Sequence, residues 1–121
     1  MATARLRLSR SSRIKQRGDF ARAKAEGDRV VRGCLIANLH PRPAGSASRV
    51  GVVTSRKIGG AVQRARARRL LREVFRLHQN DLPRPLNVVL VARQSIAGKK
   101  LADVEQDFLW TLRKTKLTGT V

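Results

Sequence analysis

The residues of this chain best suited to chemistry are its arginines. From Arg56 to Arg76 the sequence reads RKIGGAVQRARARRLLREVFR, with Arg56, Lys57, Arg64, Arg66, Arg68, Arg69, Arg72 and Arg76 set against one acid, Glu73. Guanidinium groups bind phosphate bidentately, so this spacing points to recognition of a polyanion rather than to bond making. At 100° per residue, Ala67, Leu70, Leu71, Val74, Phe75 and Leu77 share one arc of a helix. Arg66, Arg68, Arg69, Arg72 and Arg76 share the opposite arc, with Arg64 at the border. The like-charged pairs Arg68–Arg72 and Arg72–Arg76 each destabilise an isolated helix by about 0.2–0.5 kcal/mol, a strain that a polyanionic partner relieves. Gly60 is the expected N-cap. Having no side chain, it leaves the first helical N–H groups and the positive end of the dipole to a phosphate, with Lys57 and Arg64 alongside. Gly59 and Gly60 also suit a plain tight turn.

Groups that make or break bonds are scarce. His40 and His78 are the only histidines, and neither has a partner at metal-ligand spacing. Cys34, the only cysteine, excludes an intrachain disulfide and reads as a small buried apolar residue. The serines lack a base at recognisable spacing. Asp103 and Asp107, at i,i+4, are the one carboxylate pair that two-metal hydrolysis would want, but acids early in a helix also serve its dipole. Glu73, three residues before Arg76 and four after Arg69, reads as a salt-bridge partner. No metal site and no catalytic residue are expected in the protein alone.

The elements that must position the arginines follow from pattern. The 121 residues, 41% of them apolar, suffice for one domain with one core. Lys and Arg number 27 against 8 Asp and Glu, for a net charge of +19, the electrostatic footprint of a nucleic-acid binder. No segment is long and apolar enough to span a membrane and no signal-peptide core is evident, so a cytoplasmic location is the default expectation. Residues 1–17 read as a basic flexible arm and 18–121 as the domain. A short helix is expected over 18–25, closed by Gly27, with Phe20 either a core anchor or a stacking platform. Strands are expected over 30–39, in two pieces, and over 50–54, the loop between them suggesting an antiparallel pair. The arginine helix should end near Gln79 or Asn80, and residues 86–92 should form a strand covered on both faces. A last helix over 99–116 carries the stripe Leu101, Val104, Phe108, Leu109 and Leu112. The order is α-β-β-β-α-β-α, an α+β domain with a mixed sheet packed by three helices.

The stretch Lys57-Ile58-Gly59-Gly60-Ala61-Val62, followed by Arg64-Ala65-Arg66 and Arg68-Arg69, resembles the signature of the bacterial ribonuclease P protein subunit. Arg13-Ile14-Lys15 with Asp19-Phe20, Arg49-Val50-Gly51 before Thr54-Ser55-Arg56, and the run Val88 to Arg93 resemble the flanks of that signature. The likeness spans about residues 13–116. It implies a fold like the second domain of a small-subunit ribosomal protein, with a left-handed βαβ crossover where pattern alone favours the right-handed form. It also implies a protein subunit that helps a catalytic RNA remove the 5′ leader of precursor tRNA, binding the leader and the RNA subunit and promoting metal binding. Magnesium would be held by that RNA and the substrate. The expected partners are the catalytic RNA and precursor tRNA, with no membrane and no protein partner required. Carried over by position, the RNA-subunit contacts are Lys57, Gly59, Gly60, Arg64, Arg66, Arg68, Arg69 and Arg72. The leader cleft is Phe20, Lys24, Ile36, Asn38, Ser55 and Arg56. Gly60 and Ala65 replace asparagines of the family pattern, and Lys24 and Asn38 stand where cleft aromatics are expected.

Two other readings share the basic helix. A ribosomal or RNA-assembly protein would bind RNA without linked cleavage, and a DNA-packaging protein would bind duplex DNA without preferring RNA. Leader cleavage with the partner RNA present separates the first from ribonuclease P, and competition between RNA and DNA separates the second.

Overall fold

The computed structural model describes residues 12–115. Three helices and four strands follow in the order α1 (Arg17–Glu26), β1 (Asp28–Arg32), β2 (Leu35–Pro41), β3 (Arg49–Val53), α2 (Ala61–His78), β4 (Leu86–Ala92) and α3 (Leu101–Lys114). The sheet order is β1-β2-β4-β3, with β1–β2 and β2–β4 antiparallel and β3–β4 parallel. This is the α+β domain with a mixed sheet that the pattern predicts. The expected antiparallel pairing of β2 with β3 is corrected: β4 lies between them. The uniformly apolar β4 is the one strand suited to the centre, because both its faces are covered and both its edges paired.

Alternation along the strands divides the sheet into two faces. Leu35, Ala37 and Leu39 of β2, Val50 of β3, and Leu86, Val88 and Leu90 of β4 meet Ala67, Leu71, Val74 and Phe75 of α2 and Val104 and Phe108 of α3. Phe75 and Phe108 have no solvent exposure, and truncating such a residue to alanine costs about 3–5 kcal/mol. In α3 the stripe is shifted from expectation: Thr111 is buried, its hydroxyl donating to the Phe108 carbonyl at 2.6 Å, whereas Leu109 is half-buried. The opposite face carries α1 and a smaller cluster of Ile14, Ala23 and Val89, with Phe20, Val53 and Val91 at its margin.

Ile14 also moves a boundary. The segment before α1, read as the end of a flexible arm, lies along the free edge of β3: the Ile14 N–H donates to the Val50 carbonyl at 2.8 Å and the side chain is 6% exposed. The folded domain therefore begins before Gly18; residues 1–11 of the expected arm lie outside the described residues.

Each of the eight carboxylates has a partner within the fold. Asp19 pairs with Arg22, Glu26 with His40 and Glu73 with Arg76. Asp28 accepts from the Thr115 hydroxyl, and Asp103 caps α3 by accepting the Lys100 N–H. Asp107 accepts the Cys34 N–H at 3.0 Å, fastening the β1–β2 turn to α3. The Asp103–Asp107 pair is thus divided between two structural bonds. Cys34 is 1% exposed, and burial, with Asp107 beside it, pushes its thiol up to about 12.

Asp81 and Glu105 both go to His78, which sequence spacing left without a partner. Nδ1 lies 2.8 Å from Asp81 and Nε2 2.6 Å from Glu105, so the imidazolium clamps the end of α2 to α3. Burial opposes the charge, but the two carboxylate bonds outweigh it and raise the pKa. A raised folded pKa gives stability that is complete below the unfolded value of about 6.5 and is lost as pH climbs through the folded one. Denaturant unfolding at a series of pH values should show stability declining above that point, and His78→Gln should remove the decline. Equal pH slopes for the two proteins would contradict the clamp.

Candidate nucleic-acid interface

The arginine face is built by α2 and what surrounds it. Gly59, at φ +139°, occupies backbone space that a side chain disfavours. Gly60 is the N-cap, without a side-chain cap, as expected from the sequence. Ser55 accepts the Lys57 N–H, and the Lys57 carbonyl accepts from Gln94, so the loop before α2 is held from two sides. Lys57 and Arg69 are exposed, and Arg64, Arg66, Arg68 and Arg72 are half-buried.

These arginines fan to two sides. Arg68 donates to the Thr54 hydroxyl at 2.9 Å, which turns it towards the end of β3. Arg72 sits between Arg68 and Arg13; burial first, then these two like charges, lowers its pKa. Arg66 turns the other way and donates to the Lys99 carbonyl before α3. Glu73 is held by Arg76 through two hydrogen bonds of 2.9 and 2.6 Å, the salt bridge expected from spacing. The row thus contains concentrated positive charge whose one acidic neighbour on the helix is already engaged.

The second surface is the sheet face carrying α1. The helix lies obliquely across it, with Phe20 over Gly51: a Cβ at position 51 would sit 2.4 Å from the Phe20 ring. At the other end of α1, Glu26 reaches His40 on β2. The row Gly51–Val89–Asn38 therefore runs beneath the helix. The next row, Val53–Val91–Ile36–Val31, runs beside it as a strip of β-branched side chains crossing all four strands. Val53, Val91 and Ile36 are half-buried and Val31 is 37% exposed. Arg93 continues β4 beyond the strip, its N–H bonded to the Cys34 carbonyl and its guanidinium to the Gly33 carbonyl. Ser55 and Arg56 are exposed just past the end of β3.

Of the six expected cleft residues, Ile36 lies in this strip, Phe20 packs at its margin with Val53 and Val91, Ser55 and Arg56 follow the end of β3, and Lys24 is exposed on α1. Asn38 is corrected: it shares the face of Ile36 but is 3% exposed, because its row lies under the helix. Val31, Val53, Val91 and Arg93 escaped the sequence reading. Their β-branched types mark strands, but only the register shows that they form one row.

The molecule is thus an α+β domain that presents a cationic helix on one side and a partly open sheet face on the other. The chain belongs to the ribonuclease P protein family, whose model, described as Ribonuclease P, matches residues 8–116. The ribonuclease P protein component of Gluconacetobacter diazotrophicus is 32% identical over 91% of this chain and 96% of its own length. That of Desulfovibrio desulfuricans is 38% identical over 79% and 74%. Among solved structures, the Thermotoga maritima RNase P protein superposes with a TM-score of 0.72 at 26% identity, covering 84% of this chain and 96% of that one. The Staphylococcus aureus protein shares the fold, with a TM-score of 0.75 at 24% identity over 84% and 93%.

Proposed function

We propose that this chain is the protein subunit of a ribonucleoprotein that removes the 5′ leader of precursor tRNA, working in the cytoplasm. The α2 arginines bind the catalytic RNA, and the strip beside α1 holds the single-stranded leader. Magnesium is held by the RNA and the substrate, and the protein promotes its binding by neutralising phosphates that would otherwise repel one another. The observation that carries this reading is the division of charge within a ribonuclease P family member. Each of the eight carboxylates has a partner within the fold, whereas α2 carries Arg64, Arg66, Arg68, Arg69 and Arg72 and its one acid, Glu73, is held by Arg76. Among the described residues no helix is long and apolar enough to cross a membrane, and the net charge of +19 fits a polyanionic partner.

A solved Staphylococcus aureus relative is described as a mutant with defective mRNA degradation activity. In this chain no group of three or more His, Cys, Asp or Glu among the described residues is placed to hold a metal ion, and activity of the protein alone is a matter for assay of RNA-free protein. The test of the proposal is salt dependence. Binding of a bacterial ribonuclease P RNA should weaken with salt on a log–log line, and Arg69→Ala should lower the slope by about 0.7–0.9. An unchanged slope and affinity would remove the arginine row from the interface.

A further inference from the structure

We infer that the leader path continues around the β1 edge to a cation–aromatic site formed by Arg32, Trp110 and Lys114, which takes single-stranded RNA beyond the Val31 end of the strip. This rests on the reading of the strip as the leader path. The strip crosses the sheet from β3 to β1, a width of about 14 Å at three strand spacings. It ends at Val31, whose neighbour in sequence, Arg32, points to the opposite face, towards α3. There the Arg32 guanidinium carbon lies 4.7 Å from the centroid of the Trp110 ring, and the Lys114 ammonium lies 5.7 Å from it. Arg32 is positioned by Asp107, at 3.8 Å, and its side chain is 49% exposed. β1 is an outer strand of the sheet, so the route from Val31 to Arg32 passes an edge rather than an element. Arg93, bonded to the carbonyl of Gly33, the residue after Arg32, places another cation at the corner.

The chemistry fits unpaired RNA. Bases stack on aromatic rings and on guanidinium planes, while adjacent cations take phosphates. A staple joining β1 to α3 would need only Arg32 on the ring. Lys114, exposed in the last turn of α3, adds a second cation that such a staple does not require.

Trp110 is the only tryptophan and the chain has no tyrosine, so its emission reports this site alone. The protein assembled with a ribonuclease P RNA is titrated with precursor tRNAs whose leaders either stop within the strip or extend past it. Long leaders, and not short ones, should change Trp110 emission. Lys114→Gln and Arg32→Gln should reduce the added affinity of long leaders about fivefold or more, the low end for one stacked base, and leave short-leader affinity intact. Constant emission, with long-leader affinity unchanged in both variants, overturns the extension. So does an equal loss at every leader length together with a lower melting temperature, the signature of a staple. Ile36→Glu serves as the control: if it spares the short-leader advantage, the leader-path reading falls and the extension with it. If it abolishes that advantage while Lys114→Gln has no effect at any length, the extension alone falls.

Discussion

Replacing Arg72 with glutamate should make the free protein more stable and at the same time weaken its binding to the catalytic RNA. The two signs come from one observation. Arg72 is partly buried beside Arg13 and Arg68; burial disfavours its cation and would penalise a glutamate as well, whereas the like charges disfavour the cation alone. A glutamate there meets Arg68 one turn back and Arg13 on the neighbouring segment, turning repulsion into attraction. The stability gain should stay below about 1 kcal/mol, as for other partly exposed pairs screened by water and salt. Against RNA the same change removes a phosphate contact and introduces a repelling charge. Affinity should fall at least about tenfold, and the salt slope should drop by about 1. Thermal melts of the free protein beside RNA titrations at several salt concentrations check both signs. A residue kept for the fold would show the reverse: lower stability and unchanged RNA affinity.

The second large effect concerns Phe20 and Gly51. The ring lies over Gly51 so closely that the branched side chain of Gly51→Val must displace it, and with it the start of α1. Overpacking of this kind costs about 1–3 kcal/mol. Phe20→Ala in the same protein should recover part of that loss, because it removes the atoms in conflict, and the two substitutions should be non-additive. Phe20 is also half-buried at the margin of the strip, which leaves part of its ring available to a base. Phe20→Ala alone should therefore weaken binding of leader-bearing precursor to the assembled ribonucleoprotein by about 1–3 kcal/mol. Mature tRNA, which has no leader, should bind as before. Loss of stability with leader preference retained in the folded fraction would make Phe20 a packing residue only.

The parts of the molecule that could be read in advance are those where one segment carries the whole signal. The helical period of α2, with its two unlike arcs, identified both the packing face and the arginine row. The unbroken apolar run of β4 required cover on both sides. What could not be read depends on partners distant in sequence. Asp107 bonds the backbone of Cys34, and Glu105 bonds His78, across intervals that no local pattern spans. The place of β4 between β2 and β3 follows from how the crossover packs, whereas the loop chemistry pointed to a simple hairpin. Asn38 shows the limit most clearly. Alternation placed it correctly on the face of Ile36, but only the oblique path of α1 decides which row of that face is covered.

If this chain binds and positions RNA while another molecule carries the reacting metals, the two contributions separate on mixing. The most direct test is precursor tRNA incubated with magnesium and three preparations: the protein freed of RNA by ribonuclease treatment and repurified, a bacterial ribonuclease P RNA alone, and the two together. The treated protein should leave the precursor intact, and it should lower the magnesium concentration at which the RNA removes the leader, as expected of this division of labour. Leader removal by the RNA-free protein, or cleavage by the RNA that is indifferent to adding the protein at every magnesium concentration, would contradict it.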